Sequence, residues 1–224
     1  MRPTSTTGRE ALTLHVANVA ERARTLGPGV RAVVWVWGCT RGCAGCVAGP
    51  ILGKPSRPPV SVDSLAQRIL AIPGMDGVTF SGGEPFEQAE ALVALCDRLR
   101  THREVSLMSY SGFTRAEIAA SSDPHRRSLL SRLDILVDGP YLRGRHADLL
   151  WRGSSNQRLH LLTPRHAELE PLLDSAPSAG VEVVVDAAGR VSWIGVPEIG
   201  FAERLDEGLR RRGIRLHPEE GVWT

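Results

Sequence analysis

Val30-Arg31-Ala32-Val33-Val34-Trp35-Val36-Trp37 runs directly into Gly38-Cys39-Thr40-Arg41-Gly42-Cys43-Ala44-Gly45-Cys46. The first eight residues are mostly β-branched or aromatic and read as a buried strand. That strand delivers three cysteines in C-x3-C-x2-C spacing at its C-terminal end. A loop this short can wrap several thiolates around one inorganic centre, and cubane iron–sulfur clusters are normally held by four. Here only Cys39, Cys43 and Cys46 are offered. If the centre is a cube, one iron lacks a protein ligand and can bind a small molecule.

Spacing alone leaves an iron–sulfur cluster and a zinc site both open. A structural zinc wants a fourth ligand, usually from a second close pair of Cys or His. The remaining cysteine, Cys96, falls in 87–100, where Ala89, Leu92, Val93, Cys96 and Leu99 recur at helical spacing, so it is expected in the core. A disulfide within the run would leave an odd partner. Residues 1–10 are polar and no apolar stretch follows, unlike a secretory signal.

The chain of 224 residues suits one domain with a real core. No apolar run approaches the roughly 20 residues of a membrane span. A formal net charge of +2 gives no argument for nucleic acid or a membrane as partner, and the expected location is cytoplasmic. Lys54 is the only lysine, which reads as a codon-composition bias. The expected organisation is an N-terminal segment, 1–26, packing on a core domain, 27–195, with a C-terminal extension, 196–224.

Working outward from the first strand, helices and strands alternate. Residues 49–59 are a Pro- and Gly-rich loop, and Val62, Leu65, Ala66, Ile69 and Leu70 mark a helix that stops before Pro73. Strands are predicted over 77–81, 104–110, 134–138, 157–162 and 181–186, the last turning through 187–189 into 190–194. A helix opened by a Thr114–Glu117 capping box follows the third strand, and 201–211 forms a helix ended by Gly213. Strands separated by helical segments imply βαβ units and a parallel sheet. An eight-unit barrel usually needs about 250 residues. The expected fold is therefore α/β: a partial (β/α)6 TIM-like barrel, open, in a single domain with a short C-terminal extension.

Active sites on such sheets gather at the C-terminal strand ends. The cysteine loop, Ser81-Gly82-Gly83-Glu84-Pro85, Ser109-Tyr110-Ser111-Gly112 and Asp138-Gly139-Pro140 should then share one mouth. Two glycines let a ligand approach the backbone closely, and the Glu84 carboxylate can help hold a cation. Alone, such a segment is more often just a tight turn between strand and helix. None of the seven histidines shows an i, i+4 pair, and none is assigned a catalytic role. Trp35 and Trp37 are read as core or mouth-lining.

A three-cysteine loop followed one βα unit later by Gly82-Gly83-Glu84-Pro85 resembles the radical S-adenosylmethionine superfamily. Wider likeness, in Gly27–Arg31, Trp37-Gly38-Cys39, Ala44-Gly45-Cys46, 79–85, 134–139 and Arg152-Gly153-Ser154-Ser155-Asn156-Gln157-Arg158, is to the activating components of anaerobic ribonucleotide reductase. Many members of the superfamily carry an aromatic residue before the third cysteine, where this chain has Gly45. The departure points to the reductase-activase branch.

The resemblance implies a [4Fe-4S] cluster on Cys39, Cys43 and Cys46, with S-adenosylmethionine chelating the open iron. One electron then splits the sulfonium, and a 5′-deoxyadenosyl radical takes a hydrogen atom from a glycine of a partner glycyl-radical enzyme. No side chain is singled out as catalytic, because the cofactors carry the hard step. Gly82, Gly83 and Glu84 would hold the methionyl amino group, with Pro85 fixing the turn. Ser109, beside Tyr110, and Asp138 are candidates for the ribose, and Gly195 and Val196 for the adenine. Asp138 reads equally as a helix cap, and 195–196 as an ordinary turn. Arg152, Ser154, Ser155, Asn156, Gln157 and Arg158 can bind a substrate or partner, or lock a loop to the barrel. The partners implied are a large glycyl-radical enzyme or a peptide substrate, with a one-electron donor such as flavodoxin or ferredoxin. Two further readings stay open: a radical enzyme that modifies a peptide or small molecule directly, and a non-enzymatic metal- or cluster-binding module.

Overall fold

A computed structural model describes residues 11–185 and 191–214; the expected turn at 187–189, His217 and Trp223 lie outside them. The chain opens with β1 (Thr13–Leu14), β2 (Val16–Ala23) and β3 (Arg31–Val36), then β4 (Val60–Ser61) and α1 (Val62–Leu70). Next come β5 (Gly77–Gly82), α2 (Ala89–His102), β6 (Ser106–Tyr110), α3 (Arg115–Ala119), α4 (Pro124–Leu130) and β7 (Ile135–Asp138). A hairpin of β8 (His146–Leu149) and β9 (Arg152–Ser154) precedes β10 (Arg158–Leu161). A second hairpin, β11 (Val181–Val185) with β12 (Val191–Gly195), leads to α5 (Phe201–Arg210).

The main sheet has the strand order β10-β7-β6-β5-β3-β2. Its four central strands run parallel, as helical crossovers require. The two edges run antiparallel. At one edge a hairpin, rather than a helix, fills the connection from β7 to β10, so the chain returns in the opposite direction. At the other edge β2 pairs with β3 through two register shifts, which break the alternation that would mark it as a strand.

Both faces of the sheet are covered, so β3 is buried at every position. On one face Ala32, Val34, Val36, Val78, Phe80 and Leu107 pack against α1 and α2 through Leu65, Ile69, Leu92 and Leu95, and Cys96 lies fully buried among them. Burial pushes the Cys96 thiol up to about 12, so it stays a small protonated core residue. On the other face lie Val33, Trp35, Met108, Ile135, Val137 and Leu159.

The N-terminal ends of the parallel strands are closed by a fully buried guanidinium, Arg31. All five of its N–H groups are used, on the Thr79 and Ser106 hydroxyls and on the carbonyls of Pro28, Val78 and Ser106. Burial lowers its pKa to about 10, which leaves it charged at neutral pH. With that end plugged, the C-terminal end is where a ligand can enter. No helix among the described residues is long and apolar enough to cross a membrane.

Candidate functional site

The loop after β3 is pinned at its base, because Gly38 N–H donates to Ile51 O (2.9 Å) and Cys39 N–H to Leu52 O (3.0 Å). Within it, Cys46 N–H donates to Cys43 O (3.1 Å) and the Arg41 amide to Cys39 Sγ (3.4 Å). The three cysteines are free thiols, each half-buried, and all line one cavity of about 370 Å³. That volume falls in the range of small-molecule sites. Burial raises the thiols of Cys39 and Cys46, so before metal arrives they are protonated donors. Among the described residues no three Cys, His, Asp or Glu side chains are grouped tightly enough for one metal ion. A cube makes a different demand, since it spreads its protein thiolates over separate irons.

The loop after β5 lies against the cysteine loop at backbone distance. A Cβ on Gly83 would stand 2.0 Å from Gly38 O, and one on Gly82, where φ is +99°, would stand 2.6 Å from Val36 O. No other residue fits there. The amides of Gly83 and Glu84 are spent on Val36 O and Gly38 O, both at 2.8 Å. What this segment has left for a ligand is acceptor oxygen, which suits the N–H groups of an amine.

The Glu84 carboxylate is 1% exposed and turns toward the loop after β6. It accepts from Phe86 N–H (3.0 Å), Ser111 Oγ (2.9 Å) and Gly112 N–H (2.7 Å). Burial nevertheless pushes it up to about 7, with those three bonds opposing the rise. An ionised carboxylate has about four acceptor directions, so one is left unused by these bonds, and the residue lines the cavity. The Tyr110 hydroxyl is buried, and its residue lines the same cavity. It has no hydrogen-bond partner among the described residues, and burial raises its pKa further. The three-thiol donor set and the glycine cradle together fit a cluster with a sulfonium amino acid beside it.

Loops from all four parallel strands reach the cavity: the cysteines, Gly82 to Glu84, Tyr110 to Gly112, and Gly139. Gly195 and Val196 line it as well, whereas Pro85 is buried in the turn that follows Glu84. Ser109 is fully buried, bonded to Tyr110 O (3.0 Å), and is not among the lining residues. Asp138 accepts from Arg115 N–H at the start of α3 and stands 3.1 Å from His160 Nε2. Burial acts to raise its pKa, but bonds from His160 and from the amides of Arg115 and Arg158 outweigh it, so the carboxyl sits below the usual range. Asp138 is thus placed as a helix cap.

The Arg152 to Arg158 run ties loops together. Ser154 Oγ accepts from Leu142 N–H (3.2 Å), and the Ser155 amide donates to Arg145 O (2.8 Å). Asn156 donates to Pro140 O (2.7 Å) and Gln157 to Gly139 O (3.1 Å), while Arg152 is buried against Leu173 O. Arg158 is exposed. Only Gly153 and Gln157 of this run reach the cavity.

Sequence reasoning missed Arg41, Tyr141, Arg143 and His146, which also line it. Their signal was position, inside the cysteine loop and just after the β7 turn. Phe201 is missed too; it packs edge-on against Trp193 (centroids 5.4 Å apart) and brings α5 to the cavity wall.

A family model for a 4Fe-4S single cluster domain matches residues 25–160. An anaerobic ribonucleoside-triphosphate reductase-activating protein of Vibrio cholerae is 31% identical over 150 residues, which cover 61% of this chain and 91% of that protein. The protein of the same name from Pasteurella multocida is 30% identical (61% and 90% covered), and that of Enterobacteria phage T4 is 26% identical (59% and 85% covered). The chain belongs to the 4Fe-4S single cluster domain family, in the branch that holds the anaerobic ribonucleoside-triphosphate reductase-activating proteins.

Proposed function

We propose that this chain is a radical S-adenosylmethionine enzyme that activates a glycyl-radical enzyme of the anaerobic ribonucleotide reductase type. The observation that carries the reading is one cavity lined by all three thiols of the C-x3-C-x2-C loop and by Gly82 to Glu84. Its cofactors are a [4Fe-4S] cluster and S-adenosylmethionine. When bound they supply one electron and a sulfonium whose reductive cleavage gives a 5′-deoxyadenosyl radical able to take a hydrogen atom.

The protein's part is positioning. Cys39, Cys43 and Cys46 would hold the cluster at the mouth of the sheet. Carbonyl oxygens of the Gly82–Gly83 turn would accept from the N–H groups of the methionyl amino group, and the remaining acceptor direction of Glu84 would take a further one. Trp35, Trp193 and Val196 give the cavity an apolar wall. The partner presents a glycine, whose lack of a side chain lets its Cα approach closely.

We read the six-stranded sheet as part of an open (β/α)6 barrel; the four parallel strands that send their loops to one end support this. A flavodoxin- or ferredoxin-class donor and a cytoplasmic location complete the reading.

One observation favours direct modification of a peptide or small molecule. Trp193, Val196, Ile199 and Phe201 line the cavity yet lie beyond residues 25–160, where the family model ends. A single assay separates the two readings. The anaerobically reconstituted protein is reduced with S-adenosylmethionine, with and without a purified glycyl-radical reductase. A protein-based glycyl radical seen by electron paramagnetic resonance, formed with 5′-deoxyadenosine, supports activation. Formation of 5′-deoxyadenosine with no radical on the reductase contradicts it.

A further inference from the structure

Two side chains leave the cysteine loop and anchor it elsewhere. The Thr40 amide and hydroxyl both donate to the Glu87 carboxylate, the amide at 3.2 Å. Arg41 reaches the opposite way, to the connection between β6 and α3. Its guanidinium carbon stands 4.8 Å from the centroid of the Phe113 ring, and Arg126, held on Phe86 O at 3.1 Å, stands 4.4 Å from the same centroid. Arg41 Nη1 lies 3.6 Å from Glu117 Oε1. Glu117 also closes the Thr114 capping box, so the carboxylate that faces Arg41 is fixed in place.

The same connection is tied to the Gly-Gly-Glu segment. Gly112 N–H donates to Glu84 Oε2 (2.7 Å), and a Cβ on Gly112 would stand 3.0 Å from Arg41 Cγ. Absence of that side chain lets the Arg41 stem lie across the backbone. At its other end Arg41 holds the loop directly, because its amide donates to Cys39 Sγ. A ring of contacts thus runs from Cys39 through Arg41 to Phe113 and Gly112, on to Glu84, and back through the Glu84 amide to Gly38.

We propose that Arg41 is a positioning residue that holds the cysteine loop in its ligating shape before any metal arrives, by clamping it to Phe113 and Glu117. Loops with several glycines are costly to order, and Gly38, Gly42 and Gly45 all have positive φ in this one. A guanidinium that is planar, always charged and able to stack offsets part of that cost in a way an exposed ion pair alone cannot. The inference rests on this loop being the cluster loop, but its first readout needs no cluster.

The test compares Arg41→Ala, Arg41→Lys and Phe113→Leu with the parent chain. Hydrogen exchange of the amides of residues 40–47 is followed in the metal-free protein, and iron loss to a chelator in the reconstituted one. Arg41→Ala and Phe113→Leu should each speed loop exchange and iron loss by about 5- to 10-fold, with global melting little changed. Arg41→Lys, which keeps the cation over the ring but not the planar fork, should recover part of the protection. If Arg41→Ala does not fold, Phe113→Leu and Arg41→Lys carry the same comparison. Exchange and iron loss at the parent rate in the folded variants overturn the proposal. A parent protein that takes up no iron, while the variants still loosen the loop, would sink the proposed function and leave this inference standing.

Discussion

The charge on Glu84 should make S-adenosylmethionine binding depend on pH, and burial fixes both the midpoint and the sign. Removal from water lifts this carboxyl from 4.5 to about 7, with the nearby Glu87 charge adding to the rise and the bonds from Phe86, Gly112 and Ser111 opposing it. In the ligand-free protein a raised folded value means that the native state binds more protons than the unfolded chain. The stability Glu84 contributes is therefore full below about 4.5 and is lost as pH rises through about 7, by at most about 3 kcal/mol. Ligand binding runs the other way, since a protonated Glu84 gives up the acceptor direction that the methionyl amino group would use. The ionised fraction falls from about 0.9 at about pH 8 to about 0.1 at about pH 6, so affinity should weaken roughly tenfold across that interval and level off above it. Equilibrium dialysis of S-adenosylmethionine against the reconstituted protein measures this, with an analogue lacking the amino group as control. Glu84→Gln should bind weakly at every pH and show no slope. Parent affinity that ignores pH, or a slope that survives in Glu84→Gln, refutes the reasoning.

Three substitutions probe other parts of the account. Tyr110→Phe removes a buried hydroxyl that has no hydrogen-bond partner among the described residues, so thermal unfolding should show the ligand-free protein melting no lower than the parent. Gly83→Ala forces a Cβ to 2.0 Å from Gly38 O, and iron analysis should show that the displaced cysteine loop no longer retains a full cluster. Arg31→Met strands the hydroxyls and carbonyls that now accept five N–H groups, and denaturant unfolding should report a loss of about 3–5 kcal/mol.

The central strands were legible because they are buried on both faces and therefore read as unbroken apolar runs, as in Ala32 to Val36. Convergence of the four strand-end loops followed from parallel topology alone. The Thr114–Glu117 capping box was legible as a local pattern and is present in full. The strand at Val16–Ala23 was not, because two register shifts and a half-exposed edge erase its alternation. Nor could sequence show that β10 returns antiparallel, since a hairpin and a helix can fill a connection of similar length. Within the site, types and spacing revealed the thiols and the glycines, whose roles are covalent or steric. The direction of a side chain was hidden: Ser109 turns into the core, and the Glu84 carboxylate turns to the β6–α3 loop. Arg41 looked like any loop arginine because its partners, Phe113 and Glu117, lie more than seventy residues away.

Iron content and product formation in one oxygen-protected sample test the central claim most directly. The reconstituted chain should hold about four irons, and with a reductant and S-adenosylmethionine it should release 5′-deoxyadenosine. Alanine at Cys39, Cys43 or Cys46 should abolish both, and alanine at Cys96 should spare both. About one tightly held zinc per chain, no iron, and an intact sulfonium would contradict the account.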